Sequence, residues 1–563
     1  MNRRSTLSLL SGSGQRTNTT SSGPQFSAAS SPVRPLQGGL EPYTGSWSAQ
    51  QAAHLLRRAT FGPTIELIRQ SADEGLSATL DRLFAEPPLP DKPLNLEYAS
   101  DAAVPVGKTW IDAPFNNADN NILGYRNRSL RAWTFDQILK ERINIREKLT
   151  LFWHNHFATS DINDPNFLYY HITLLRSYAW GNFRDLVKAM TIDPTMLRFL
   201  NGNVNTRTGV NENYARELLE LFTIGKGPLA GPGDYTNYTE TDVKEIAKAL
   251  TGWRDNGYRT TNATVKAGAV FRPAQHDTTK KVLSHRFDYA EILNQNENEY
   301  KAVVDIIFKK AEVARFICRK LYRWFVYYQI TDEVEAQVIE PMAQLMFSSN
   351  YEIKPALKAL LGSAHFFDAL NVGPMIKNPL DFSWGLIKQT YTPLPAGQTQ
   401  KYSLLFNLSR TINLQQMEYF NPPDVAGWKP FYQEPSFYRI WINATTLAAR
   451  MTYTNRMAIE GTVIGGYRLR IDPLSMITHL QNRLDPNALI LELSDLLLPQ
   501  PLTEAQLADL KEVLLPGLPD YEWTIEYQQY LSKPSDTNLK NAVESKLRNL
   551  FQAILSMAEF YLS

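Results

Sequence analysis

The sequence predicts a mainly α-helical protein: one large multi-lobed helical domain with a small β-hairpin insertion. Three observations carry this. Apolar residues recur at i, i+3, i+4 and i+7 through most of the chain from Trp47 onward, whereas alternating runs are few and short. The chain has 563 residues, long for one domain, yet no tract in its middle has the composition of a flexible linker. The best strand candidates are confined to about 258–287, in "TNATVKAGAVFRPAQHDTTKKVLSHRF", a hairpin set between helices.

Residues 1–40 are rich in Ser, Thr, Gly and Pro and too poor in apolar groups to fold alone, so they read as a disordered leader. Arg3 and Arg4 resemble the start of a twin-arginine export signal. The following "STLSLLSGSG" offers three leucines where a signal needs roughly 7 to 15 apolar residues, which makes it degenerate. The main helical domain spans 45–471. It opens with "AQQAAHLLRRATFG", stopped by Gly62 and Pro63, and includes "DEVEAQVIEPMAQLMFSS", with Asp332 as its expected cap. Residues 472–563 form a C-terminal helical lobe. The endings "LLGSAHFF" and "ILSMAEFY" resemble each other, as a duplicated unit or as two amphipathic helices of one period.

Charge is balanced, 58 Lys+Arg against 57 Asp+Glu, so no global field gathers nucleic acid or an anionic membrane. The single cysteine, Cys318, excludes an intrachain disulfide and sits in the helical stripe "VARFICRKLYRWFV" as a small buried hydrophobe. No apolar run approaches the roughly 18 residues of a membrane span.

Four polar constellations remain. In "NENYARELLELFTIG", Tyr214, Leu218, Leu221 and Phe222 make the core stripe, and Asn213, Arg216, Glu217 and Glu220 share another face. That face is either solvated, with an Arg216–Glu220 ion pair, or functional. Glu217 sits nearest the apolar edge, so it is the carboxyl to expect partly buried and raised in pKa. In "YTETDVKEIAKALTGW", Thr239 and Asp242 form a capping box and Gly252 stops the helix before Trp253.

The third, "LTLFWHNHFATS", poses a sharper question. On one unbroken helix His154 and His156 lie about 160° apart and cannot share a metal. If the helix ends near Trp153 and the chain becomes extended, the two can chelate a divalent transition metal, with a third ligand from Glu217, His171 or His276. Metal ligands, metal-free catalytic histidines and structural histidines all stay open. The fourth group joins the loop "FRPAQHDTTKKVL", with His276, Asp277 and Lys280, to "YFNPPDVAGWKPF" and "YRIWINATTLAAR". The last two carry Asp424, Trp428, Trp441 and Asn443, residue types that meet a sugar-like or peptide-like ligand, though both tryptophans read equally as core plugs. The chain lacks a Walker loop, G-x-G-x-x-G after a strand, H-E-x-x-H, C-x-x-C and G-x-S-x-G.

Taken in order, "HLLRRATFGPT", "REKLTLFWHNHF", "NENYARELLELFTIG", "YTETDVKEIAKALTGW", "QHDTTKK", "RFICRKLYRWFV", "IKNPLDF" and "NPPDVAGW" resemble the bacterial domain-of-unknown-function family 1800. The resemblance implies an exported or envelope-associated protein, whereas the missing hydrophobic signal region points to the cytoplasm. It also implies a partner from family 1501, which is similar to alkaline phosphatases and sulfatases. Two function classes follow. One is a hydrolase or lyase of a glycan or related polymer, with Glu217 or Glu220 as acid or base, His154, His156 and His276 as proton carriers or metal ligands, and Trp253, Trp428 and Trp441 as a platform. The other is a non-catalytic scaffold that presents a substrate to the phosphatase-like partner. In the enzyme reading Glu217, His154, His156 and His276 are expected to converge within about 10 Å, the scale of a small-ligand pocket.

Overall fold

In the first helix, Ala49–Ala59, Ser48 accepts the Gln50 N–H, and Ala52, Leu55, Leu56 and Ala59 are buried. The helix stops at Thr60, and Gly62 follows at φ +80° against Gly385 of the helix Pro379–Gln389. A Cβ on Gly62 would lie 2.6 Å from the Gly385 Cα, so only glycine permits this approach. The computed structural model describes residues 38–428 and 441–563, and all but the last three residues of the expected leader lie outside them. The described residues belong to one compact unit.

The fold is mainly α-helical, and its sheets are small two-stranded antiparallel pairs. At the centre lies the helix Arg146–His156, whose eleven residues are all buried. A helix wrapped on every side is a core element rather than an amphipathic surface helix. Its charged residues are satisfied: Glu147 takes the Arg176 guanidinium through two bonds of 2.7 and 2.9 Å, Lys148 pairs with Asp381, and Arg146 donates to the carbonyls of Pro87 and Pro88.

The capping box forms as read. Thr239 Oγ1 accepts the Asp242 N–H at 3.3 Å, and Asp242 Oδ2 accepts the Thr239 N–H at 2.7 Å. The strands sit differently from the expected 258–287. Trp253–Asn256 pairs with Gly268–Phe271, and Lys281–Val282 pairs with Glu291–Ile292. The chain enters a strand directly after Gly252, and much of the Thr/Asn-rich stretch taken for a strand is the connection.

Thr331, not Asp332, caps the next long helix, accepting the Val334 N–H at 3.2 Å. Pro341 lacks an N–H, and its ring crowds the carbonyl four residues back. The backbone widens there into a π turn over Glu335–Ile339, and the freed Gln337 carbonyl accepts the Leu40 N–H at 3.2 Å. In the C-terminal part, Arg548 of the helix Thr537–Ser556 donates to the carbonyls of Ala458 and Ile471 at 2.7 and 3.3 Å. Among the described residues no helix is long and apolar enough to cross a membrane.

Candidate functional site

The helix Arg146–His156 runs unbroken through both histidines, so the extended end that chelation requires does not form. Successive side chains leave it about 100° apart and reach separate neighbours. His154 Nε2 accepts the Phe420 N–H at 3.1 Å, Asn155 Oδ1 accepts the Trp428 N–H at 2.7 Å, and His156 Nε2 donates to the Phe222 carbonyl at 3.0 Å. His156 Nδ1 faces Lys320 Nζ at 3.1 Å, and Lys320 also donates to the Leu221 carbonyl at 2.9 Å. These bonds fix the tautomers: His154 carries its proton on Nδ1 and His156 on Nε2. Each remaining lone pair accepts a hydrogen bond, so a metal here would have to displace both. Burial holds both imidazoles well below their usual pKa, and Lys320 pushes His156 further in that direction.

His154 and Asn155 thus fasten the segment "YFNPPDVAGW". Gly427 in that segment has φ +94°, and a Cβ there would sit 2.3 Å from the Asn155 carbonyl oxygen. His156 and Lys320 hold the end of the second segment. The helix Asn213–Glu217 opens into a π turn over Leu218–Thr223, which leaves the Leu221 and Phe222 carbonyls for those two side chains.

Three carboxylates gather around the secured segments. Glu217 is half-buried, and its carboxyl is pushed up to about 7, first by burial and then by repulsion from Glu220 and Asp424. Arg216 and Lys226 oppose the shift without cancelling it. Arg216 is committed elsewhere: instead of the expected pair with Glu220, it grips both oxygens of Glu240 at 2.7 Å and reaches Glu212 at 3.4 Å. Glu240, at the start of the next helix, presents its carboxylate face-on to the guanidinium fork, which one turn of the same helix cannot do as well. Glu220 accepts the Tyr238 hydroxyl at 3.1 Å and lies 3.7 Å from Lys226. Asn213 is exposed and donates to the Leu200 carbonyl at 3.1 Å.

A groove of about 690 Å³ opens beside the same loop. One wall is the 124, 127, 128 and 131 face of the helix Asn121–Lys140, the other the 406, 409, 410 and 413 face of Gln398–Leu414. Phe420 and Asn421 line it, and Asp424 is three residues on, at most about 10 Å of extended chain away. The residues quoted from the sequence do not include the helical walls, because their polar faces are spaced like any solvated helix.

The remaining candidates lie elsewhere. His276 is buried, takes Glu299 at 3.0 Å through Nε2 and donates from Nδ1 to the Thr251 carbonyl at 2.8 Å. Glu299 also holds the buried Lys281 at 2.5 Å, so the three form a closed interior network. The His276 pKa is raised despite burial, which lowers it, because the bonds to Glu299 and Thr251 and the Glu299 charge favour the imidazolium. His276 shares no bonded partner with His154 or His156. Asp277 caps its own turn through Thr279, and Lys280 pairs with Glu291 on the surface at 2.8 Å. Trp253 meets Tyr300 edge-on at 5.6 Å.

The platform expected of Trp428 and Trp441 is corrected to a core role, since each is 1 % exposed; Trp428 packs edge-on to His154 at 5.5 Å. Asn443 caps the helix Ala444–Asn455, accepting two N–H bonds at 3.0 Å. Cys318 is buried, and its thiol is pushed up by burial, as its apolar stripe implied.

A family model described as "Protein of unknown function (DUF1800)" matches residues 54–562. The chain belongs to this family. No curated protein and no solved structure matches it. Among the described residues of this DUF1800 chain, no group of three or more His, Cys, Asp or Glu is placed to hold a metal ion. The chemically distinctive group is therefore the carboxylate trio of Glu217, Glu220 and Asp424, on two segments fixed by one buried H-N-H tripeptide.

Proposed function

We propose that this DUF1800 chain is a hydrolase of a glycan or related polymer, with Glu217 as general acid and Asp424 or Glu220 as its ionised partner. The observation that carries the reading is Glu217: a half-buried carboxyl held near 7, with no hydrogen-bond partner among the described residues, beside two further carboxylates. A proton held at that affinity is available at neutral pH, where an ordinary carboxyl has already lost it. In hydrolysis the Glu217 proton passes to the bridging oxygen as the C–O bond breaks, and the ionised carboxylate takes a proton from the attacking water. The groove supplies amide, guanidinium and phenyl surfaces of the kind that meet sugar hydroxyls and ring faces. His154 and His156 are positioning residues in this scheme: they hold backbone, and neither touches the reacting atoms.

The test is turnover of a glycan panel by wild type and Glu217→Gln. Wild type is expected to release new chain ends, and the variant to lose turnover by about 10² to 10⁴ while still binding. No turnover in either protein, combined with intact binding to a family 1501 phosphatase- or sulfatase-like partner, would replace this reading with the scaffold one.

A further inference from the structure

Away from the carboxylate trio, the described interior groups several basic side chains together. Arg57 and Arg58 of the first helix, Lys148 of the central helix, Lys377 and Arg450 are 7, 4, 3, 5 and 0 % exposed. One carboxylate, Asp381 at the start of the helix Pro379–Gln389, is attracted to Lys148, Lys377 and Arg58 and also faces Arg450. It is already spent, because Lys148 takes Oδ1 and Asn378 donates to Oδ2 at 2.7 Å. Among the described residues the other carboxylates facing the cluster are Asp495, near Arg57, and Glu141, near Lys148, and burial pushes Glu141 up to about 8.

The donors are under-used to match. Arg450 gives one bond, from Nη2 to the Lys377 carbonyl at 2.8 Å, and stacks on the Phe382 ring at 4.6 Å. Its Nε and Nη1 are buried without a partner among the described residues, and so is Nε of Arg57. Lys377 Nζ donates to the Phe560 carbonyl at 2.7 Å and, among the described residues, makes no ion pair with a carboxylate. The Arg450 guanidinium does not shed its proton near neutrality and so calls for a counter-ion rather than a water, whereas burial, and then Arg57, lower the Lys377 amine to about 7.

We infer that the cation cluster around Asp381 binds a small inorganic anion of the chloride class, with Arg450 as its principal donor and Lys377 beside it. The site joins four elements of the chain, the first helix, the central helix, the helix that carries Asp381 and the helix that carries Arg450, so occupancy stabilises the fold. Burial first, and then the charges of Arg58 and Arg57, hold the nearby His54 imidazole down to about 3.

The test uses the full chain in chloride, bromide or sulfate against gluconate at matched ionic strength. Chloride and bromide are expected to raise the melting temperature saturably by about 1–3 °C. Arg450→Met and Lys377→Met are expected to abolish that rise. Bromide-soaked crystals of the wild type should show an anomalous peak within hydrogen-bond distance of Arg450 Nε or Nη1, a readout that stands if both variants fail to fold. Equal melting in all salts, a rise that persists in Arg450→Met, or bromide crystals without the peak would overturn the proposal. A rise confined to sulfate would also overturn it. None of these readouts involves glycan turnover.

Discussion

Gly427→Ala probes how the loop that carries Asp424 is held. At φ +94° an L-residue costs about 1–2 kcal/mol in backbone strain. The added Cβ would lie 2.3 Å from the Asn155 carbonyl oxygen and 2.4 Å from its Oδ1, against an ordinary contact of about 3.5 Å. The carbonyl belongs to a fully buried helix, so the loop must lift rather than the helix yield. Lifting breaks the 2.7 Å bond from Trp428 N–H to Asn155 and strands two buried polar groups, a further loss of about 1–3 kcal/mol. The sum is about 2–5 kcal/mol, to be read by urea unfolding. Gly107→Ala is the control: its φ is +85° and nothing lies within 4 Å of the new Cβ, so it should cost strain alone, about 1–2 kcal/mol. If Gly427→Ala costs no more than Gly107→Ala, the docking described for this loop is wrong.

Three further outcomes follow from the same contacts. Leu218→Ala, in the buried stripe behind Glu217, should lose about 2–5 kcal/mol in equilibrium unfolding, and a loss below about 1 kcal/mol would remove that stripe from the core. Glu217→Gln should flatten one pH dependence: the fold binds the Glu217 proton more tightly than the unfolded chain, so wild-type stability falls as pH rises from about 4.5 to about 7. Above that window the variant should be the more stable by about 1–2 kcal/mol after allowance for partial solvent screening, and identical profiles would exclude the raised carboxyl. Lys320 has the opposite sign. Burial and Arg323 lower its amine to about 7, so its contribution grows as pH rises from about 7 toward 10.5, and Lys320→Met should remove that rise.

Much of the helical frame was legible because local rules governed it. Thr239 with Asp242 and Gly62 with Pro63 signal a start and a stop whatever surrounds them. The cap at Thr331 and the π turn before Pro341 needed more, since that carbonyl finds its new donor, Leu40, some three hundred residues away in the chain. Glu217 was legible as the carboxyl nearest an apolar edge, a property of one helix wheel. Its neighbour Asp424 was visible only as a residue type in a loop. What brings the two segments to one tripeptide is a set of backbone bonds to His154, Asn155 and His156, and backbone acceptors leave no mark in sequence. Asn155 therefore carries no signal in the sequence, unlike the more reactive histidines beside it. The Arg216 pairing was misassigned because helical spacing names only partners on the same helix, and Glu240 starts the next.

The most direct measurement is the ionisation of Glu217 itself, by infrared difference titration of the carboxyl band in wild type against Glu217→Gln. A protonated carboxyl that disappears in the variant and titrates near 7 in the wild type is the expected result. A Glu217 that is already ionised at pH 5, with no difference between the two proteins above it, would contradict the role of general acid.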